Sequence, residues 1–168
     1  MDDRTKNIII NEFESLKQRI ATNIVSTGQN ASGRTIQSLE VTETENGAQL
    51  WGRFPFGTLE TGRRPGRVPE GFVGIILQWM IDKPVKASPI PYVRKPSNKW
   101  HPKYTPQERG NMSLAGAIAY KIKTEGTALF KKGGRNDVYS NEIPKTINAI
   151  SEKLIGLYTS EIEKIPLN

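Results

Sequence analysis

Residues 56–69 read FGTLETGRRPGRVP and separate a hairpin pattern from a helical pattern. The glycines in this stretch allow backbone angles that other residues avoid, and the prolines restrict the backbone between them. The stretch therefore predicts a defined, exposed loop that is suited to docking on another surface. We call residues 62–69 the arginine loop. The interaction residues expected here are Glu60, Arg63, Arg64 and Arg67.

The residues before this stretch have the pattern of a β-hairpin. Side chains alternate over residues 38–44 and again over residues 48–54, and Asn46-Gly47 between them is a strong two-residue turn signal. That turn fixes the register and places Thr42 opposite Trp51, with the apolar side chains on one face. The sequence thus predicts an antiparallel hairpin with one face in the core.

Four other segments have the periodicity of one-sided helices. The first covers residues 5–26 and ends before Gly28, which is a natural helix stop. With the hairpin, these helices predict an α+β fold in which a small, curved antiparallel sheet packs against about four helices. The other three helices are expected from Phe72 to Lys83, from Leu114 (with Ser113 as cap) to Glu125, and from about Pro144 to Lys164.

Residues 84–111, which we call the arm, show no periodicity. Six of the 11 prolines of the chain fall here, together with three aromatic side chains. A loop this long is functional or disordered, and a disordered linker is poor in aromatics. We interpret the arm as a proline-rich, extended insertion in a single domain of residues 1–168, with aromatics that bury against a partner. The alternative is an arm folded over its own domain. The interaction residues expected in the arm are Tyr92, Arg94, Trp100 and Tyr104.

The net charge of +7 is concentrated in one third of the chain. From Arg53 to Arg109 there are 11 basic and 4 acidic residues, and the remainder of the chain holds 13 of each. This asymmetry indicates an anionic partner for the central region. A solvated basic surface that only aids solubility is the alternative.

The residues offer little catalytic chemistry. The chain has no cysteine, and its one histidine, His101, lies in the arm without clustered carboxylates. No P-loop or Gly-x-Ser-x-Gly motif is present. Pairing with an arginine or a turn amide explains Glu60 better than acid–base catalysis does. We therefore expect no enzyme, cofactor or metal. We also expect no membrane partner, because no apolar run approaches the roughly 20 residues that span a bilayer.

Three sequence features occur in an order known from one family. They are Phe56, the turn Glu60-Thr61-Gly62-Arg63-Arg64-Pro65, and the helix end from Ile118 to Thr127, which reads IAYKIKTEGT. An aromatic residue, a Glu-x-Gly-x-x-Pro turn and an Ile-Ala-x-Lys-Ile-x-x-Glu-Gly-Thr helix end recur in head–tail joining and tail-completion proteins of tailed bacteriophages. The chain resembles this family, and in particular the neck or tail proteins of crAss-like phages.

The resemblance implies a non-enzymatic structural component of the virion, assembled in the host cytoplasm as a homo-oligomeric ring of the neck. Its partners would be other neck, portal-adaptor or tail proteins. The arm would clasp an adjacent subunit, and the arginine loop would dock an acidic surface or face the DNA channel. The residues leave one alternative open, which is a basic accessory protein that contacts DNA phosphates without sequence specificity.

Overall fold

The computed structural model describes residues 1–93 and 103–165. Within these residues, one antiparallel hairpin combines with four long and three short helices, so the α+β class is confirmed. The elements in chain order are α1 (Asp3–Ser26), α2 (Arg34–Gln37), β1 (Glu40–Thr44), β2 (Gly47–Trp51), a 3-10 turn (Phe54–Gly57), α3 (Thr58–Thr61), α4 (Phe72–Asp82), α5 (Pro106–Glu125), α6 (Ala128–Lys131) and α7 (Glu142–Ile162).

The chain divides into two compact units. Unit 1 comprises Met1–Thr61 and Gly134–Asn168, and unit 2 comprises Gly62–Gly133. Unit 2 is therefore an insertion in the chain of unit 1, and it contains the arm. Compact units are not equivalent to independently folding domains, and the single domain of residues 1–168 stays a prediction.

Helix α1 carries the core of unit 1. Asp2 accepts a hydrogen bond from the backbone N–H of Thr5 at 2.8 Å, which caps the first turn. Leu16, Ile20 and Ile24 are buried, because the helical period places them on one face. The helix predicted over residues 5–26 is confirmed.

Helix α7 packs on α1 through a largely polar seam. Lys153 binds the buried Glu12, while Arg19 donates to Glu142 at 2.9 Å and to Thr146 at 2.7 Å. Because these partners pair early residues of one helix with late residues of the other, the two helices run antiparallel. Hydrogen bonds between specific side chains fix the register of the pair.

The predicted core stripe of α7 is only partly buried. Helix α7 begins two residues before the predicted start, at Glu142. Polar side chains at positions 142 and 146 turn toward α1, so the isoleucine face is rotated away from it. Ile147 and Ile162, which the helical stripe predicted in the core, therefore remain exposed. Tyr158 is also exposed over 46% of its surface, although its hydroxyl is hydrogen-bonded to the Thr5 hydroxyl of α1 at 2.9 Å.

The hairpin forms, but its register differs from the predicted one by two residues. Val41 pairs with Leu50 and Glu40 with Trp51, and the turn lies at residues 45–46. The two-residue turn that we expected at Asn46-Gly47 therefore does not form, and Asn46 keeps a negative φ. A shift of two residues leaves the strand side chains on their predicted faces, because strand side chains alternate with a period of two. The second strand ends at Trp51, however, so Phe54, which was predicted to close it on the apolar face, lies in the 3-10 turn and is fully exposed.

The core of unit 2 lies between α4 and α5. Ile76 and Met80 of α4 are buried against Ala115 and Ala119 of α5, and the small alanines allow close approach. Helix α4 matches its prediction and ends at Asp82, before Lys83-Pro84.

Helix α5 begins eight residues before the predicted start at Leu114. Thr105 caps it by accepting a hydrogen bond from the backbone N–H of Glu108, whose side chain in turn accepts from the backbone N–H of Thr105. This capping box, followed by Pro106 at the first helical position, stabilises a start within a polar segment. The last six residues of the arm as we defined it are therefore helical.

The described part of the arm folds over its own unit. The backbone N–H of Ile90 donates to the carbonyl of Pro106 at 2.8 Å, and that of Ala87 donates to the Asn111 side chain at 3.1 Å. The Arg109 guanidinium lies 3.8 Å from the centre of the Tyr92 ring. For these residues, the structure agrees with the alternative interpretation, in which the arm folds over its own domain. It does not show the arm that we first expected, with its aromatic side chains free to bury against a partner.

Gly110 permits this packing and offers a test of it. A Cβ atom on Gly110 would lie 2.1 Å from the carbonyl oxygen of Ser88. Gly110→Ala should therefore displace the arm and lower the free energy of unfolding by about 1–3 kcal/mol. Gly116, in the same helix, has no atom within 4 Å of such a Cβ. Gly116→Ala should raise the free energy of unfolding by about 0.5–1 kcal/mol. Denaturant unfolding of both variants gives the comparison, and two stabilising substitutions would contradict the packing.

Candidate interaction surface

The arginine loop is fixed to the end of α5 by its backbone. The N–H of Arg63 donates to the Thr127 hydroxyl at 2.9 Å, and the N–H of Thr127 donates back to the Arg63 carbonyl at 2.9 Å. The N–H of Gly66 donates to the Lys123 carbonyl at 2.8 Å. The Gly-x-x-Pro part of the turn motif and the Glu-Gly-Thr helix end thus meet in space.

Two glycines make this close approach possible. A Cβ atom on Gly62 would lie 2.5 Å from the backbone nitrogen of Phe130, and one on Gly126 would lie 2.7 Å from the Arg63 carbonyl oxygen. Both glycines also have positive φ, at 67° and 80°. Any larger residue would therefore push the loop away from the helix end.

Glu60 holds a turn of unit 1. Its carboxylate accepts hydrogen bonds from the backbone N–H groups of Val138 at 2.9 Å, Tyr139 at 2.7 Å and Ser140 at 3.0 Å, and from the Ser140 hydroxyl. Burial acts to raise the pKa of Glu60, but these hydrogen bonds outweigh it and hold the pKa below the ordinary value. Pairing with turn amides was one of the two structural roles that we expected.

The burial of Glu60 corrects its assignment as an interaction residue. Its side chain is only 3% exposed, and both carboxylate oxygens have partners inside unit 1. A partner molecule cannot reach this carboxylate. Glu60 therefore acts as an internal support.

Arg63 also differs from its expected role. Its Nη2 atom donates to the Arg67 carbonyl at 2.6 Å, and its guanidinium lies 5.6 Å from the centre of the Phe72 ring. The residue is half-buried and braces the loop from within. Arg64 and Arg67 are exposed, and the interaction role expected for these two arginines stays a prediction.

The arm residues have separate outcomes. Tyr92 is half-buried against Arg109 of its own unit, which corrects its assignment as a contact to a partner. Tyr104 is exposed and lines a separate apolar groove with Met80 and Met112. The predicted interaction residues Arg94 and Trp100, and also His101, lie outside the described residues.

The positive charge belongs to unit 2. Gly62–Gly133 contains 14 basic and 4 acidic residues, a net charge of +10, and the rest of the chain contains 10 basic and 13 acidic residues, a net charge of −3. The sequence window that ended at Arg109 missed the exposed lysines of the later helices. Among them are Lys121 and Lys123, which lie on the part of α5 that holds the arginine loop.

A groove of about 350 Å³ runs beside the arginine loop. Its apolar lining includes Val68, Val73 and Ala119, and Tyr120 stands at its edge with 70% of its surface exposed. Lys123 also lines the groove. Sequence reasoning missed this groove because it forms between segments about 50 residues apart.

No protein-family model matches the chain, and neither the curated proteins nor the solved structures show a significant match to it. Across residues 1–93 and 103–165, no group of three or more His, Cys, Asp or Glu side chains is placed to hold a metal ion. No helix in this part of the chain has the length and apolar character needed to cross a membrane.

Proposed function

We propose that this protein is a non-enzymatic structural component of a tailed-phage virion. It forms a ring in the neck, where tails are completed and joined to heads. The observation that carries the proposal is the arginine loop, which presents Arg64 and Arg67 on a backbone fixed to the end of α5. The Gly-x-x-Pro part of the turn motif and the Glu-Gly-Thr helix end, which belong to the family resemblance, build this support, whereas Phe56 and Glu60 lie in unit 1.

The geometry suits docking on an acidic protein surface. A loop held by two backbone–backbone hydrogen bonds and one from the Arg63 N–H to the Thr127 hydroxyl loses little conformational freedom when it binds, so less of the interaction free energy is spent on ordering. Exposed guanidinium groups form paired hydrogen bonds with carboxylates. The described part of the arm binds its own unit, so the proposal assigns docking to the loop and not to the arm.

Removal of the two exposed arginines tests the proposal. A phage that encodes Arg64→Ala/Arg67→Ala should accumulate separate heads and tails, counted by electron microscopy, with at least a tenfold loss of joined particles. The thermal stability of the purified variant should stay close to that of the wild type, because exposed charges add little to folding.

A matched control removes two other exposed cations of unit 2. Lys103→Ala/Lys132→Ala changes the net charge by the same amount but leaves the arginine loop intact. This variant should join heads and tails normally. Equal loss in both variants would show that overall charge, and not the loop, is responsible, and normal joining by the arginine variant would contradict the proposal.

The net charge of +10 on unit 2 favours one alternative, which is contact with DNA phosphates. Titration of the purified protein with duplex DNA at several salt concentrations separates the two functions. Weak binding supports the structural role. Tight binding whose affinity falls steeply with salt would support a DNA-binding accessory protein instead.

A further inference from the structure

The groove beside the arginine loop has an apolar floor and a cationic rim. Val68 and Ala119 supply the floor, and Lys123 lies in the lining. Arg67 is exposed and directly precedes the lining residue Val68, so it is a second cation close to the groove along the chain. Glu70, which lies between the lining residues Pro69 and Gly71, is the exposed acid nearest to the groove in the sequence. The two cations, Arg67 and Lys123, outnumber it. This combination fits an aromatic or aliphatic side chain that has a carboxylate beside it.

The hairpin of unit 1 presents such a pair on its outer face. Trp51 is 58% exposed, and Glu40 is its direct partner across the strands. The Trp51 indole donates to the Thr42 hydroxyl at 3.0 Å, which fixes the ring on this face. From residue 35 to residue 52 the chain contains three acids and no base, and of these acids Glu43 binds Lys6.

We propose that copies of this chain associate head to tail, with the hairpin of one copy docked in the groove of the next. Trp51 enters the apolar floor, and Glu40 binds Arg67 and Lys123 at the rim. The inference rests on the proposed function, since it supplies the contact between subunits of the ring. It goes further by naming the two surfaces that meet.

Charge complementarity selects a second copy as the occupant. The groove lies in the unit with a net charge of +10, whereas the hairpin lies in the unit with a net charge of −3. The two surfaces differ, so the contact is heterologous, and a pair of copies keeps a free groove on one copy and a free hairpin on the other. Repetition of such a contact closes into a ring when the rotation allows it. Tryptophan is enriched among the residues that dominate binding energy at interfaces.

Sedimentation velocity over a range of concentrations tests the contact. The average mass of the sedimenting wild-type species should increase as the protein concentration rises. Trp51→Ala, Glu40→Arg and Arg67→Glu should each stay monomeric, with at least a tenfold weaker association. Circular dichroism of each variant should match the wild type, because all three side chains are exposed. The matched controls Glu152→Arg and Lys132→Glu reverse exposed charges elsewhere and should associate as the wild type does.

A mixing experiment is specific to the head-to-tail arrangement. Trp51→Ala retains an intact groove, and Arg67→Glu retains an intact hairpin. Their mixture should therefore form a complex of one copy of each, although neither variant associates alone. A wild-type protein that stays monomeric, variants that associate normally, or a mixture without the complex would each overturn the inference.

Failure of this inference can be told apart from failure of the proposed function. Trp51→Ala leaves the arginine loop unchanged, so it separates the two in the particle assay. If this variant joins heads and tails while the arginine double variant does not, the loop docks another protein and the hairpin contact is wrong. If particles join normally with each of the two variants, both the proposed function and the hairpin contact are wrong.

Discussion

Glu60→Ala should lower the free energy of unfolding of unit 1 by about 4 kcal/mol. The substitution leaves the backbone N–H groups of residues 138–140 without their acceptor, in a buried setting at Val138 and a partly buried one at Tyr139 and Ser140. An unsatisfied buried donor costs about 1–3 kcal/mol, and a partly exposed one costs less because water can replace the acceptor. Denaturant unfolding followed by circular dichroism measures the loss. Glu152→Ala, at an exposed position of α7, is the control and should leave stability near the wild-type value.

The same carboxylate predicts a pH dependence. Because the pKa of Glu60 is lowered in the folded protein, its contribution is fully present above the ordinary value of 4.5 and declines as the pH falls through the lowered pKa. Glu60→Gln removes the titrating group and keeps an acceptor oxygen. The stability difference between wild type and Glu60→Gln should therefore shrink at acid pH, and a difference that is constant with pH would contradict the assigned role.

Gly62→Ala should have the second largest effect and lower the free energy of unfolding by about 2–5 kcal/mol. The added Cβ would lie 2.5 Å from the backbone nitrogen of Phe130 and 2.7 Å from the Thr127 hydroxyl oxygen. Neither atom belongs to the far end of a flexible side chain, so the backbone must move. The movement should break the hydrogen bonds between Arg63 and Thr127, release the arginine loop and abolish particle joining.

Gly28→Ala is a matched control for this substitution. Gly28 has a φ of 70°, close to the 67° of Gly62, but no atom lies within 4 Å of the Cβ position. The control therefore measures the cost of the left-handed backbone alone, which is about 1–2 kcal/mol. Thermal unfolding of both variants gives the difference. Equal losses would show that Phe130 and Thr127 do not confine the loop.

The hairpin shows where local sequence signals stop being sufficient. Alternation of side chains placed Leu39 and Leu50 on the core face, and both pack in the core of unit 1. The register depends on the turn, and alternative turn conformations differ only slightly in free energy. Here Asn46 does not adopt the backbone angles that the Asn-Gly pattern favours. The predicted contact between Thr42 and Trp51 still forms, but diagonally.

The arm and the candidate surface depended on long-range contacts. Proline content and missing periodicity marked the arm, but its contacts with Pro106 and Asn111 join segments about 15 to 25 residues apart in the chain. The pattern likewise grouped three arginines, while only packing against Phe72 separates the bracing Arg63 from the exposed pair. Backbone N–H donors about 80 residues away turned Glu60 from a surface candidate into an internal support.

The sequence by itself determined the class of this protein's fold, because helical stripes, helix stops and strand alternation act over a few residues and are read directly from the order of side chains. It also determined that the positive charge is uneven. Only the tertiary structure decided the partners of Glu60, the course of the described arm, the exposed face of α7 and the groove beside the arginine loop. Each of these depends on which distant segments meet, and short-range periodicity carries no information about that choice.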